Sequence, residues 1–264
     1  MGLKNGRIYT EHVSFSYLKG MDAIHDLNLS VADGKITALI GANGCGKSTL
    51  FHLLTGRLKP SQGKIFLDNK EIGEIKRREF AKQIAIVHQH NTAPDDLTVR
   101  KLVSLGRTPY QNVFSYGQGV DDINAVDNAL EITDTAKYAG RMISKLSGGQ
   151  RQRVWLAMAL AQSANVLLLD EITTYLDIHY QLEILNLIRK LNTEHNITVL
   201  MVLHDINQAL EFSDDIIVMS KGKLIASGAT NKVVTESLLN NAFHVDAHIN
   251  SIDGKKYCIF NHRK

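Results

Sequence analysis

A chain of 264 residues with 44% hydrophobic content is long enough for one large domain, or one domain with a subdomain, and can supply a proper core. The net charge of +3 is too small to indicate nucleic acid, so a solvated surface of mixed charge is the preferred interpretation. Two cysteines, Cys45 and Cys258, give no disulfide framework and suit a reducing compartment. We expect no secretory signal and no membrane helix, because the longest strongly apolar runs are far below the ~20 residues that a membrane span needs.

The first forty residues predict β structure. Over residues 7–40 we expect antiparallel strands, in which Leu27, Leu29 and Val31 form a buried face that alternates with polar positions. Asp33-Gly34 then predicts a two-residue hairpin turn.

Residues 36–54 combine a short apolar strand, a glycine-rich loop and a helix. Gly41, Gly46, Lys47 and Ser48 fit the P-loop pattern G-x-x-x-x-G-K-[ST] in the required context. Glycine lets backbone N–H groups turn inward around a phosphate, and the helix N-terminus adds partial positive charge. Lys47 can reach the β- and γ-phosphates and Ser48 can hold Mg²⁺. Cys45, inside the loop, is interpreted as a small filler residue rather than a redox group.

Two residues near this motif have open interpretations. Tyr17, near the end of the first predicted strand, is either an ordinary edge aromatic or a platform on which a nucleotide base stacks. Gln89 directly follows the apolar strand predicted at Ile84–Val87. It is either a surface residue or, at the carboxyl end of that strand, a group that reaches Mg²⁺ or the attacking water.

Residues 90–165 predict helices rather than strands. Val99, Leu102 and Val103 form one apolar face, and Ile123, Val126 and Leu130 form another, with a loop expected at residues 112–120. We therefore predict a helical subdomain inserted into the sheet domain.

This helical stretch ends with Leu146-Ser147-Gly148-Gly149-Gln150, followed by a long helix to about Ala161. Ser147 is a natural N-cap, and Gly148 and Gly149 offer backbone N–H groups at the helix start. One nucleotide has no need for two phosphate cradles on one chain. The simplest use of the second cradle is a nucleotide held by another copy of the chain.

Polar side chains follow two later apolar strands. Val166–Leu169 predicts a strand buried on both faces, and Asp170 and Glu171 follow at its carboxyl edge. Asp170 suits Mg²⁺ or its water shell, and Glu171 suits a base that orients the attacking water. His204 follows the strand predicted at Ile197–Leu203, where it could bond a γ-phosphate. A hairpin is predicted at 216–228 and a helix plus a small hairpin after 231, a tail with no chemistry that we identify.

Taken together, these residues resemble the nucleotide-binding subunit of ABC transporters over nearly the full length. Gly41–Ser48 matches the Walker A motif, Val166–Asp170 matches Walker B, and Leu146–Gln150 matches the LSGGQ signature. Gln89 matches the Q-loop, Thr174–Asp177 matches the D-loop, and Tyr17 matches the adenine-stacking A-loop. Glu171 matches the catalytic glutamate and His204 matches the switch histidine. The resemblance implies an α/β P-loop NTPase with a mainly parallel core sheet, an antiparallel β subdomain and an inserted helical subdomain.

The resemblance also implies roles for individual residues and the cofactors ATP and Mg²⁺. The implied catalytic residues are Glu171, His204, Lys47 and Gln89, and the implied metal-binding residues are Ser48, Gln89 and Asp170. The implied nucleotide-binding residues are Tyr17, Gly41, Asn43, Gly44, Cys45, Gly46, Lys47, Ser48, Thr49, Ser147, Gly148, Gly149, Gln150 and Asp177. One position departs from the pattern: Ile172 stands where a proline usually follows the glutamate, which frees an N–H and loosens the turn.

A finer similarity concerns the transported solute. Four segments look like those of the ATPases of iron–siderophore, heme and cobalamin importers, and the ferric citrate and hydroxamate type is the nearest match. They are Val99–Val103, Gly106–Tyr110, Thr173–Ile178 and Leu203–Ala209. This implies integral-membrane permease subunits and, through them, a substrate-binding protein as partners, an ATP-dependent head-to-tail homodimer, and a peripheral position at the cytoplasmic face of the cell membrane. It also implies one ABC ATPase domain with a catalytic core at about 1–89 and 166–230, a helical subdomain at about 90–165 and a C-terminal extension at about 231–264.

Other functions remain as alternatives. An ATPase of another ABC importer, for heme, cobalamin or a metal, is the nearest one. A non-transport ABC ATPase of DNA repair is disfavoured because residues 90–145 lack sustained heptads, and a ribosomal one because the chain carries one cassette rather than two. A simple P-loop kinase leaves Leu146–Gln150 unexplained.

Overall fold

The computed structural model describes residues 6–18, 20, 22–111 and 119–261. The predicted loop at 112–120 therefore lies outside the described residues apart from Gly119 and Val120. The described chain divides into two units, residues 6–75 with 198–261 and residues 76–197.

The first unit contains most of the strands. The first six strands are β1 (Gly6–Ser16), β2 (Asp22–Leu27), β3 (Ser30–Ala32), β4 (Ile36–Gly41), β5 (Gln62–Leu67) and β6 (Lys70–Glu71). The next two, β7 (Ile84–Val87) and β8 (Val166–Asp170), belong to the second unit. The last five are again in the first unit: β9 (Thr198–Val202), β10 (Asp215–Ser220), β11 (Lys223–Ala229), β12 (Asp246–Ile252) and β13 (Lys255–Asn261). Its helices are α1 (Lys47–Leu54), α7 (Ile206–Phe212), α8 (Thr230–Val233) and α9 (Glu236–Phe243), with a short 3₁₀ turn at Ile72–Glu74.

The second unit contains the two strands β7 (Ile84–Val87) and β8 (Val166–Asp170) and most of the helical residues. The helices are α2 (Arg77–Gln83), α3 (Val99–Ser104), α4 (Val120–Ile132), α5 (Gly148–Ala161) and α6 (Ile178–His195), and 3₁₀ turns lie at Leu105–Arg107, Ala136–Tyr138 and Ile143–Lys145.

The strands of the first unit form an antiparallel sheet, a parallel sheet region and a terminal hairpin. The antiparallel sheet has the order β2-β1-β5-β6, with β3 also paired to β1. In the parallel region, β4 lies between β9 and β10, and β11 adds an antiparallel edge. The strands β12 and β13 pair with each other in register from Asp246↔Asn261 to Ile252↔Lys255. The fold class predicted from the sequence is confirmed.

The hairpin prediction at Asp33-Gly34 is wrong. Those residues form a turn, but β3 before it pairs with β1 and β4 after it pairs in parallel with β9 and β10. All six residues of β4 are buried, so the strand belongs in an interior position that an edge hairpin cannot provide. The predicted burial of Leu27, Leu29 and Val31 is confirmed.

In the second unit, β7 and β8 are parallel neighbours, with Ile84 opposite Val166 and Val87 opposite Leu169. Parallel pairing sends both strands out at the same edge, so the residues that follow them emerge side by side. The apolar face predicted for α3 is confirmed, since Val99, Leu102 and Val103 are all buried. The face predicted for α4 is partly wrong. Val126 and Leu130 are buried, but Ile123 is exposed and Asp122 is buried in its place.

Candidate functional site: a P-loop, a signature helix and their carboxylates

The P-loop connects the buried strand β4 to helix α1. Gly46 precedes α1 with φ 105°, in the left-handed region, and no side chain caps the helix there. A Cβ at Gly46 would lie 2.9 Å from the Ala23 carbonyl oxygen, so only glycine fits the loop at this point. The loop thus presents backbone N–H groups at a helix N-terminus, which is a favourable place for an anion.

Lys47 lies across this loop. Its side chain is buried with the rest of the residue, and its Nζ donates to the Gly41 carbonyl at 2.8 Å and the Ala42 carbonyl at 3.2 Å. An ammonium group has three donors, so it can exchange a carbonyl for a phosphate oxygen without losing its place. The next residue, Ser48, is exposed and lies in the first turn of α1.

Tyr17 lies beside the same helix. Its hydroxyl is 3.1 Å from Oγ1 of Thr49 in α1, and Phe15 packs against its ring edge-on at a centroid distance of 4.9 Å. The residue is nevertheless 57% exposed. A ring held at one end and open to solvent has the geometry of a stacking platform, which favours that interpretation over an ordinary edge aromatic.

The hairpin between β10 and β11 supports the P-loop from behind, a role that sequence reasoning missed. Gly222 donates its N–H to the Cys45 carbonyl at 2.9 Å and accepts from the His25 N–H at 2.9 Å. Cys45 itself is buried, in agreement with its interpretation as a filler. No local pattern signals this contact, because the two glycine-containing turns are far apart in sequence.

In the second unit, Gln89 and Glu171 meet beyond the ends of β7 and β8. Gln89 Nε2 donates to Glu171 Oε2 at 2.7 Å, and both residues are partly buried. Asp170, the last residue of β8, is also partly buried. The structure therefore brings together three of the four polar residues that the sequence placed after apolar strands. The fourth, His204, belongs to the first unit, where it is exposed between β9 and α7.

The signature segment forms the capped start of α5. Ser147 Oγ accepts from the Gln150 N–H, and the Gln150 side chain accepts in return from the Ser147 N–H at 3.1 Å. This capping box confirms the predicted N-cap and leaves Gly148 and Gly149 in the first turn, whose N–H groups have no partner within the helix.

Helix α6 packs against that first turn. A Cβ at Gly149 would lie 2.5 Å from the Tyr180 ring, and one at Gly148 would lie 3.7 Å from Leu176. Asp177 caps α6 by accepting from the Tyr180 N–H at 3.1 Å. The two glycines of the signature therefore bring the N-terminal ends of α5 and α6, with the D-loop before α6, into direct contact.

Comparison with known proteins identifies the family. A family model described as "ABC transporter" matches residues 24–174, a span that holds the P-loop, the signature and Glu171. The chain belongs to the ABC transporter family. It is an ATP-binding cassette and an ATPase.

Curated relatives of this ABC ATPase are import ATP-binding proteins. It is 47% identical to the iron(3+)-hydroxamate import ATP-binding protein FhuC of Bacillus subtilis over 86% of this chain and 84% of that one. It is 42% identical to the petrobactin import ATP-binding protein FpuD of Bacillus anthracis, covering 95% and 92%. It is 40% identical to the ferric enterobactin transport ATP-binding protein FepC of Escherichia coli, covering 90% and 87%.

Solved structures agree with the ABC ATPase fold. A chain of an inward-facing ABC transporter assigned to the metal-chelate type is 29% identical, with a TM-score of 0.83 and coverage of 97% of both chains. A dimeric bacterial ABC transporter cassette is also 29% identical, with a TM-score of 0.73 and coverage of 84% of this chain and 98% of that one. Among the described residues of this ABC ATPase, no helix is both long and apolar enough to span a membrane.

Proposed function

We propose that this ABC ATPase energises the import of ferric siderophores through a membrane permease. The observation that carries the proposal is the 47% identity to the hydroxamate import ATP-binding protein over most of both chains. A cobalamin import ATP-binding protein of Halobacterium salinarum is only 35% identical, and the chain covers 56% of its length. An ATPase subunit does not touch the transported solute. Similarity between such subunits therefore indicates a similar permease, and the permease in turn indicates the class of solute.

The phosphate-binding part of the mechanism rests on the P-loop. Lys47 keeps one of its carbonyl bonds, to Gly41 or Ala42, and directs its other two donors at the β- and γ-phosphates, while the N–H groups at the start of α1 hold the remaining phosphate oxygens. Tyr17 stacks on the base, and Asn43, Gly44 and Thr49 complete the loop that surrounds the phosphates. These donors are already in place, so they stabilise the negative charge that develops on the transferred phosphoryl group in the transition state.

Glu171 orients the attacking water, and Gln89 holds the carboxylate that does so. Glu171 Oε2 accepts from Gln89 Nε2 at 2.7 Å. A carboxylate has about four acceptor sites, so Glu171 can accept from water while this bond is in place. His204 contacts the γ-phosphate and senses its loss.

Mg²⁺ fits the donors that the chain supplies. This ion prefers hard oxygen ligands, and the chain offers three: the Ser48 hydroxyl, the Gln89 amide oxygen and the Asp170 carboxylate. When bound, the ion neutralises negative charge on the phosphates.

The functional unit in this proposal is a head-to-tail homodimer. Each ATP lies between Gly41–Ser48 of one copy and Ser147–Gln150 of the other, with Asp177 at the same junction. The capped N-terminus of α5 supports this because its first-turn N–H groups suit the γ-phosphate of a nucleotide bound elsewhere. The dimeric bacterial cassette at 29% identity supports it independently.

The permease is proposed to bind beside Gln89. A groove of about 500 Å³ in the second unit lies between the Gln89 loop, α5 and the D-loop, and Asn91, Trp155 and Tyr175 are among its lining residues. A permease segment seated there contacts Gln89, the residue that holds Glu171.

The helical subdomain, at about 90–165, transmits motion to the permease. That motion comes from the catalytic core, at about 1–89 and 166–230. The C-terminal extension is at about 231–264. The subunit is held at the cytoplasmic face of the membrane by the permease, and a substrate-binding protein delivers the solute.

Co-purification tests the transport function. Tagged protein is recovered from detergent-solubilised native membranes, and its partners are identified by mass spectrometry. A polytopic permease whose deletion abolishes uptake of ⁵⁵Fe-loaded hydroxamate is the expected result. Recovery of a permease that carries heme or cobalamin would redirect the solute class, and recovery of ribosomal or DNA-bound proteins alone would end the transport proposal.

Glu171→Gln tests the catalytic assignment. The amide keeps the shape of the side chain but cannot act as a base, so kcat should fall by about 10²–10⁴-fold while ATP still binds. Because hydrolysis no longer separates the subunits, the variant should elute as a dimer in Mg-ATP, as measured by size exclusion with light scattering. A variant that stays monomeric at saturating Mg-ATP would contradict the dimer mechanism.

A further inference from the structure

The C-terminal hairpin is bound to helix α7 through one side chain, Asn207. Its Oδ1 accepts from the Cys258 N–H at 2.7 Å, and its Nδ2 donates to the Cys258 carbonyl at 3.2 Å. One amide thus satisfies both backbone groups of a residue in β13, as a neighbouring strand would. We call this pair of bonds the Asn207 clamp.

Helix α7 needs such support because it has only seven residues, which is too short to be stable without tertiary packing. Its apolar side packs in the interior, with Ile206 6% exposed and Ala209 fully buried. Cys258 is 5% exposed, so the Asn207 clamp lies at the edge of the same buried layer. The exposed Lys255–Glu211 ion pair, at 2.9 Å, fastens the hairpin nearer the other end of α7.

The Asn207 clamp lies in the first turn of α7, three residues after His204. Asp205 caps the helix by accepting from the Asn207 N–H at 2.7 Å and the Gln208 N–H at 3.2 Å. On the other side, Leu203 donates its N–H to the Leu39 carbonyl at 3.2 Å, which ties it to β4. His204 is therefore the single residue between a backbone fixed by the sheet and a helix start fixed by the hairpin.

We infer that Asn207 is a positioning residue for ATP hydrolysis, and that the C-terminal hairpin fixes His204 through it. This rests on the proposed role of His204 at the γ-phosphate. Without the clamp, the first turn of α7 loses its attachment to β13, and the backbone that carries His204 loses one of its constraints. Because displacement of a reacting group by about 1 Å can cost up to about 10²-fold in rate, the effect should appear in kcat. ATP binding at the P-loop should not change.

The decisive experiment is a double-mutant cycle of Asn207→Ala and His204→Ala in the full chain, measured as ATPase kcat and KM. Asn207→Ala alone should lower kcat about tenfold with KM for ATP changed less than about twofold. In the His204→Ala background it should lower kcat less than about twofold further, because the group it positions is already gone. Asn250→Ala, the same change at an exposed position of β12, is the matched control and should leave kcat unchanged.

The outcomes separate the inference from the proposed function. Wild-type kcat in His204→Ala would contradict the role of His204. If His204→Ala lowers kcat and Asn207→Ala leaves it at the wild-type value, the positioning role of Asn207 is overturned and the role of His204 stands. The same holds if Asn207→Ala lowers kcat by the same factor in the wild-type and His204→Ala backgrounds. Should Asn207→Ala fail to fold, Asn207→Asp serves in its place: it keeps the acceptor for the Cys258 N–H, and it replaces the donor to the Cys258 carbonyl with a carboxylate oxygen that this carbonyl repels.

Discussion

At the scale of single residues, Glu171 is held in an unusual backbone conformation. Its φ is 50°, in the left-handed region, which costs about 1–2 kcal/mol for a residue with a Cβ. The Thr174 N–H closes the following turn on the Glu171 carbonyl at 3.1 Å, and Ile172 is 3% exposed. The isoleucine that replaces the usual proline is therefore a core residue. Its burial, rather than a fixed φ, anchors the turn after Glu171.

Asp33 is a second residue whose contacts set its chemistry. Its Oδ1 accepts from Arg7 Nη1 at 2.9 Å and from Thr198 Oγ1 at 2.8 Å. The hydrogen bond from Arg7, followed by that from Thr198, lowers the pKa of Asp33 below its ordinary value. These bonds join the turn after β3 to β1 and to the start of β9.

Asp33→Asn should therefore destabilise the protein in a pH-dependent way. A carboxyl whose pKa is lower in the folded state stabilises that state above its unfolded pKa, near 3.8, and loses the effect as pH falls through the folded value. The urea midpoint of the variant should be lower than that of the wild type at pH 7, and the gap should narrow below about pH 4. A gap that is constant from pH 7 to pH 3 would contradict an ionic origin.

At the scale of elements, a buried ion pair sets the orientation of α4. Arg107 Nε donates to Asp122 Oδ1 at 2.8 Å, and the side chains are 8% and 13% exposed. Arg107 also donates to the Ala161 carbonyl and stacks on Tyr110 at 3.8 Å from the ring centroid. Since this guanidinium is taken out of water, it requires a carboxylate partner, and α4 turns Asp122 inward while Ile123 faces outward.

Asp122→Ala should destabilise the protein strongly, because it leaves a buried cation without its partner. Loss of about 3–5 kcal/mol in the free energy of unfolding is expected, measured by urea denaturation. Asp121→Ala, an exposed neighbour in the same first turn, is the matched control and should cost about 0.5 kcal/mol through the helix dipole. Equal losses in the two variants would show that the ion pair contributes nothing.

At the scale of the whole molecule, the proposed ATP site is divided between copies. Lys47 and Ser147 belong to the two halves of that site, one in a P-loop and one at a helix start that faces another chain in the proposed dimer. A monomer then has two half-sites and no complete one. This division predicts complementation between variants that are inactive on their own.

Lys47→Ala and Ser147→Arg should each abolish hydrolysis, the first by removing a phosphate ligand and the second by filling the helix N-terminus. In an equimolar mixture, heterodimers carry one site with both halves intact, so ATPase activity should return to about a quarter of the wild-type value by random pairing. A mixture that is as inactive as either variant would argue that each chain completes its own site.

The family and the fold class could be read from local features of the sequence, and the candidate site was predicted from features of the same kind. A P-loop, a capped signature helix and carboxylates after a buried strand are each specified by a few adjacent residues, whose glycine conformations, capping and apolar runs follow from short-range sterics and hydrogen bonding. The tertiary structure alone decided the pairing of β4, the inward turn of Asp122, the Gly222 support of the P-loop and the Asn207 clamp. Each of these depends on a partner distant in the chain, such as Cys258, which lies 51 residues after Asn207. A buried polar group must find a partner somewhere, but which one is set by the packing of whole elements rather than by neighbours in sequence.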